Sequence, residues 1–273
     1  MKNISFIGGD KRNLILSNLL EKEGFNIFRY GLGIEKNSLL ECTQNSELII
    51  TAVPFSTDFE NIYCPLDQIK LKVYDFINLL NKKTIVCGKI SKQFITKLHE
   101  NNNKIVDIMA NEQLALKNTI PTVEGIVKII IENTDITIDD SNIAVLGFGR
   151  VGKRTAKILN CLGGNIFCYD IKEEAVANIK LCGYNVIDNI HEILNKMDII
   201  VNTIPEVIIK KQVLQCINKK TFIIDVSSKP GGIDFEYANN NGYKVIHALG
   251  LPGKIAPITS AKYIKEIIQN LII

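Results

Sequence analysis

Short apolar runs alternate with amphipathic stretches from one end of the chain to the other, the pattern of a wound α/β protein. Residues 4–7 predict a strand. The turn Gly8-Gly9-Asp10 follows, and then a helix in which Leu14, Leu16, Leu19 and Leu20 stand among polar residues until Gly24 stops it. Segments 25–30, 47–53, 84–87 and 104–108 predict four more strands, with a helix over 91–100. Pro121 predicts a helix start just beyond it, and a helix over 123–133 leads away from this first sheet. The strand–turn–helix theme then restarts, with strands expected at 142–146, 165–170, 184–187, 198–203, 221–226 and 243–248. A last helix, over 258–271, carries Ile264, Ile267, Ile268 and Leu271 on one face, and its partner stays open. The expected organisation is two wound parallel-sheet domains, 1–120 and 121–273, with the last helix able to pack back on the first.

Composition narrows the class. With 273 residues, 46% hydrophobic, 22% charged and a net charge of +3, the chain reads as globular. The charge surplus is too small for a nucleic-acid groove or a polybasic membrane surface. The start Met1-Lys2-Asn3 followed at once by Ile4-Ser5-Phe6-Ile7 leaves no room for a signal peptide, and no apolar run approaches the ~20 residues of a membrane span. Seven scattered cysteines without a C-x-x-C pair predict reduced thiols, mostly in the core, in a cytoplasmic protein. Three isolated histidines, His99, His191 and His247, predict no metal site. Self-association is left open.

The strongest local signal is Gly147-Phe148-Gly149-Arg150-Val151-Gly152, which follows the apolar strand 142–146 and opens a helix over 153–162. Gly147 permits a tight turn, Gly149 lets backbone amides approach a pyrophosphate, and Gly152 lets helix and strand pack closely. The helix start adds free N–H groups and a positive dipole end, and Arg150 adds a charge. The next strand ends in Asp170, placed to accept from the adenosine ribose hydroxyls and to repel a 2′-phosphate. The second domain is therefore expected to be an NAD(P)-binding Rossmann domain, with NAD favoured by Asp170. The first domain is expected to be flavodoxin/Rossmann-like. Two later strand ends, at Thr203 and Pro205 and at Ser227, are candidate walls for the nicotinamide.

The substrate side is expected from the cleft between the domains. Arg12, rare in a chain with only four arginines, stands at a predicted helix start suited to a carboxylate. Ser228-Lys229 and the loop 249–254 with Lys254 supply further polar and cationic groups, and His247 is a candidate proton acceptor. Glu124, just past Pro121, reads either as a first-turn acid or as a cleft base. The candidate catalytic pair is Lys229 and His247. The candidate substrate set is Arg12, Thr122, Glu124, Ser228 and Lys254.

With those residues in view, the chain resembles the A subunits of bacterial dipicolinate synthase over nearly its whole length. The resemblance rests on Gly8-Gly9-Asp10 with Arg12, Ile120-Pro121-Thr122-Val123-Glu124-Gly125, the glycine loop, Ser228-Lys229-Pro230-Gly231-Gly232-Ile233-Asp234-Phe235, and Gly250-Leu251-Pro252-Gly253-Lys254-Ile255-Ala256-Pro257. It implies an NAD(P)-dependent oxidation of the dihydrodipicolinate-level intermediate of the lysine pathway to pyridine-2,6-dicarboxylate. It further implies the mother cell of a sporulating bacterium and, for a partner, a flavoprotein-like B subunit. A small dicarboxylate needs cations, which Arg12, Lys229 and Lys254 supply from both domains. The family resemblance also implies an arginine near the end of the second Rossmann strand, where this chain has Asp170-Ile171. Other readings are a 2-hydroxy-acid or alanine-type dehydrogenase, or a non-catalytic dinucleotide-binding subunit.

Overall fold

In the central strands of both halves most positions are apolar, because a parallel sheet covered on both faces has no solvent side there. The structure is a computed structural model that describes residues 2–34, 37–67 and 69–272. The chain divides into two compact units, Met1–Asn118 with Ala256–Ile273, and Thr119–Ile255. No helix among the described residues is long and apolar enough to cross a membrane.

In the first unit, β1 (Asn3–Ile7), β2 (Asn26–Tyr30), β3 (Leu48–Thr51), β4 (Thr84–Cys87) and β5 (Lys104–Asp107) form one parallel sheet in the order β2-β1-β3-β4-β5. Successive side chains feed opposite cores. Ile4, Phe6, Leu48, Ile50 and Val86 join one core with Leu16 and Leu20 of α1 (Lys11–Lys22). Ile7, Ile49, Ile85 and Cys87 join the other, where Phe55, Phe76 and Phe94 pack. On the flanks are α2 (Leu39–Asn45), held at its start by a reciprocal Ser38–Glu41 cap, α3 (Val73–Asn78) and α4 (Lys92–Glu100).

Pro121 does not start a helix. It lies inside α5 (Glu112–Asn133), which runs from the first unit into the second. Proline removes one backbone bond in a helix interior. Here apolar anchors on either side, Leu114 in one core and Val123, Ile126 and Ile130 in another, keep both halves helical.

In the second unit, β6 (Asn142–Leu146), β7 (Asn165–Tyr169), β8 (Asn185–Val186), β9 (Ile199–Asn202), β10 (Phe222–Asp225) and β11 (Lys244–His247) pair in parallel in the order β11-β10-β9-β6-β7-β8. This is the doubly wound Rossmann order, with its reversal at β6 and β9. Ile143, Val145, Ile199, Val201, Phe222 and Ile224 face one core; Ala144, Leu146, Ile200 and Ile223 face the other. The helices α6 (Arg150–Cys161), α7 (Glu173–Leu181), α8 (Ile190–Ile193), α9 (Lys211–Cys216), α10 (Phe235–Asn240) and α11 (Leu251–Ile255) complete it.

The second unit stops at Ile255, because α12 (Pro257–Ile272) belongs to the first. Its Ala261, Ile264, Ile268 and Ile272 recur at helical spacing and are buried with Leu16 and Leu20. Lys265 pairs with Glu23 and Lys117 with Glu266 along the rim, and Lys2 Nζ donates to the Leu271 carbonyl at 2.9 Å.

Candidate functional site

The glycine turn after β6 is built by contacts too close for any side chain. Gly147 has φ +91°, and its amide donates to the Tyr169 carbonyl at 2.8 Å. A Cβ on Gly152 would lie 1.8 Å from the Gly147 carbonyl oxygen, so the first turn of α6 rests directly on the end of β6. Gly149 is different. It is the N-cap of α6 in an extended conformation, and a Cβ there would meet nothing within 4 Å. The turn is thus packed from behind and open at the start of a helix twelve residues long, whose first amides lack intrahelical partners.

Asp170 closes the end of β7 over this turn. Its Oδ2 accepts from the Phe148 amide at 2.8 Å and its Oδ1 from the Lys172 amide at 3.0 Å. Phe148 itself supplies no exposed side chain: its ring is buried, edge-on to Tyr184 at 6.2 Å, with Lys153 Nζ 5.8 Å from its centroid. Val151 packs half-buried on the core, and Arg150 is exposed at the start of α6. At the end of β9, the Thr203 hydroxyl donates to the Leu146 and Gly147 carbonyls at 3.0 and 3.3 Å, so it braces the turn; Pro205 is exposed.

At the end of β10 the sequence reading overlooked the group that organises the loop. Asp225 is fully buried, and its carboxylate accepts from Asn202 Nδ2 at 3.1 Å, the Ser227 amide at 2.8 Å and the Gly232 amide at 2.6 Å. Asn202 also donates to the Ile204 carbonyl at 2.9 Å. The signal was present: an acid inside the run Ile223-Ile224-Asp225-Val226 needs buried donors wherever that strand lies in a core. The loop so held exposes Ser228 and Lys229, while the Ser227 hydroxyl is buried without a hydrogen-bond partner.

His247, at the end of β11 beside Asp225, is half-buried and stacked on Phe235 with ring centroids 4.7 Å apart. Its Nε2 stands 3.0 Å from the Ser227 carbonyl. A carbonyl only accepts, so Nε2 carries the proton and Nδ1 holds the lone pair of the neutral ring.

The remaining candidates are distributed differently from the expectation. Thr122 and Glu124 sit in the interior of α5, half-buried and exposed respectively, so Glu124 is no first-turn acid. Lys254 is exposed on the short helix α11 rather than in a loop. In the first unit, Arg12 is not a free cation. It is buried, its Nε and Nη2 bond both oxygens of Asp10 at 2.8–3.1 Å, and Nη2 also donates to the Val53 carbonyl at 2.6 Å. The glycine turn there is filled as well: a Cβ on Gly8 would meet Ile62 at 2.8 Å and Cys64 at 2.9 Å, and the Gly9 amide is taken by the Tyr63 carbonyl.

Among the described residues, those of the second unit fit a bound dinucleotide. An open glycine at a helix start, a carboxylate at the end of the next strand and an orphaned buried hydroxyl on the same sheet edge are the features such a ligand uses.

Comparison with known proteins places an NAD-binding domain in the second unit. Residues 3–109 match the N-terminal domain of the dipicolinate synthase A subunit, and residues 131–229 match the NAD-binding domain of D-isomer specific 2-hydroxyacid dehydrogenases. The dipicolinate synthase A subunit of Bacillus subtilis (strain 168) is 32% identical, covering 98% of this chain and 95% of its own length. The crystal structure of the same subunit from Bacillus subtilis shares 29% identity at a TM-score of 0.85, over 99% of this chain and 95% of that one. Its counterpart from Bacillus halodurans shares 27% identity at a TM-score of 0.89, over 99% and 97%.

Proposed function

The chain belongs to the dipicolinate synthase A-subunit family and is an NAD(P)-dependent dehydrogenase, and from that premise we propose that it oxidises a dihydrodipicolinate-level intermediate of the lysine pathway to pyridine-2,6-dicarboxylate. The observation that carries this reading is the match over 98% of the chain to a protein of that name, together with an open glycine turn at the start of α6. Aromatising the ring removes one hydride and one proton. NAD(P), when bound, accepts the hydride.

The chain's own residues handle the rest. Gly149 and the first amides of α6 hold the pyrophosphate, Arg150 adds charge, and Asp170 orients the adenosine ribose and selects NAD. Thr203, Pro205 and Ser227 face the nicotinamide end. His247 takes the proton at Nδ1, the ring nitrogen left with a lone pair when Nε2 donates to Ser227. Lys229 and Lys254, both exposed on the second unit, supply cations for the substrate carboxylates, with Ser228 beside Lys229 as a hydrogen-bonding neighbour. Arg12, in the first unit, is one half of a pair with Asp10, which sets its direction and reduces its net charge. Thr122 and Glu124 line the substrate side from α5. The working form includes a flavoprotein-like B subunit, in the cytoplasm of the mother cell of a sporulating bacterium.

The test is production of dipicolinate, read by its ultraviolet absorbance, from the enzymatically generated intermediate with NAD or NADP and with the B subunit present. The expected result is product formed with NAD in preference to NADP. A chain that binds NAD normally but yields no product with either coenzyme overturns the substrate assignment.

A further inference from the structure

Asp225 is a fully buried carboxylate with no cation bonded to it among the described residues. Such a group is costly to bury, and an apolar side chain continuing Phe222-Ile223-Ile224 would serve the core as well or better. Its three partners show what it does instead. Ser227 and Gly232 stand at the two ends of one loop, and both donate their amides to this single carboxylate. Gly231, with φ +99°, passes so near that a Cβ on it would lie 3.0 Å from Asp225 Oδ2 and 3.3 Å from His247 Cε1. The third partner, Asn202, ties the same carboxylate to the end of β9. The loop and the end of β9 therefore hold one acid through three donors, and the Ser227 carbonyl accepts a hydrogen bond from His247 Nε2.

We propose that Asp225 is the positioning residue of the reacting end: it folds the 226–232 loop around its carboxylate, so that Ser227 fixes the tautomer of His247 and Lys229 is presented at a set place. The role rests on the reading of His247 as proton acceptor. Asp225 acts through Asn202, Ser227 and Gly232, the groups bonded to its carboxylate. All three neighbours are donors, so a carboxylate, with two acceptor oxygens, satisfies them and an amide does not. In Asp225→Asn, which keeps the shape, one N–H group meets another N–H, and the loop loses an anchor at one end.

The experiment follows two readouts on Asp225→Asn, with Asn202→Ala, which removes one of the three donors together with the bonds of Asn202 to Ile204, as a second variant should the first not fold. Imidazole nitrogen NMR of the full chain is expected to show His247 as a single Nε2–H tautomer in the wild type and as a mixture in the variant. Faster amide exchange is expected at Ser227 and Gly232 but not across Gly147–Gly152. In the assay with the B subunit, kcat is expected to fall about a hundredfold, the loss typical of a misplaced reacting group, with the calorimetric Kd for NAD unchanged. A merely structural role would lower kcat, coenzyme affinity and thermal stability together, which would overturn the proposal. So would a folded variant with unchanged tautomer and unchanged exchange. The spectroscopic arm needs no substrate, so a wild-type chain that makes no dipicolinate sinks the substrate assignment and leaves this inference standing on its own result.

Discussion

Gly152 rests on the carbonyl of Gly147 so closely that a single added methyl would sit 1.8 Å from that oxygen, whereas the same methyl on Gly149 would touch nothing. One loop thus contains a glycine required by packing and a glycine with open space before it. Gly152→Ala must push α6 off the end of β6, and because the obstacle is backbone the cost is expected at about 1–3 kcal/mol or more. Gly149→Val should leave the unfolding midpoint within a degree or two, yet place its side chain where a pyrophosphate would approach. NAD affinity is expected to fall at least tenfold, about 1.4 kcal/mol. Thermal unfolding and NAD titration calorimetry on the two variants read both effects. Equal melting losses in both would contradict the distinction.

Asp170 accepts from two amides, those of Phe148 and Lys172, and its carboxylate remains half-exposed at the end of β7. On the reading that Asp170 meets the adenosine ribose, alanine in its place would remove an anion that repels a 2′-phosphate and an acceptor for ribose hydroxyls. Asp170→Ala is expected to weaken NAD by roughly tenfold, about 1.4 kcal/mol, and to weaken NADP less or improve it. The measurement is the ratio of the two dissociation constants. A common loss for both coenzymes would mean that Asp170 shapes the turn and never meets the ribose.

His247 offers a way to separate holding from proton transfer. Glutamine in its place can still present a side-chain N–H to the Ser227 carbonyl, but it has no nitrogen lone pair to take a proton. His247→Gln is therefore expected to keep NAD binding and the fold of the 226–232 loop while kcat drops about 10²–10⁴-fold. A folded variant that binds NAD and keeps the wild-type kcat would move the base to another residue.

How far the residues alone carried the reading depends on whether a feature is local. The strands were legible because both faces of each sheet are covered, so runs such as Ile199–Asn202 and Phe222–Asp225 stand out as apolar blocks. The second glycine turn was legible because strand, glycines, helix and acid follow in order. The first turn, Gly8-Gly9, looks similar in sequence yet is closed by Ile62, Tyr63 and Cys64, residues that reach it from a segment more than fifty positions away. Arg12 was read as open for the same reason: Asp10 is a neighbour, but the Val53 carbonyl that completes its cage is not. Pro121 misled in the opposite direction, since a local rule predicted a boundary that apolar anchors on both sides override. Asp225 is a case where a local anomaly was visible and its meaning lay in contacts the sequence does not print.

The thiols give the chain a predictable response to alkali. Burial is the main cause in each case: it pushes Cys42, Cys87 and Cys168 up to about 12 and Cys64 to about 11, from an ordinary value of 9.0. The native state therefore favours the neutral thiol, whereas the unfolded chain ionises freely once the ordinary value is passed. The stabilisation these groups contribute is fully present below about pH 9 and is lost as pH climbs towards 11–12. Cys161, Cys182 and Cys216 are exposed and should react with a thiol reagent at once, whereas the buried four should react only as the chain opens. Urea unfolding at pH 7.5 and at pH 10 is expected to show a lower midpoint at the higher pH. Part of that difference should vanish in a Cys87→Ala, Cys168→Ala double variant. If all seven thiols label in the native protein, or if the double variant keeps the full alkaline loss, the buried thiols are not its source.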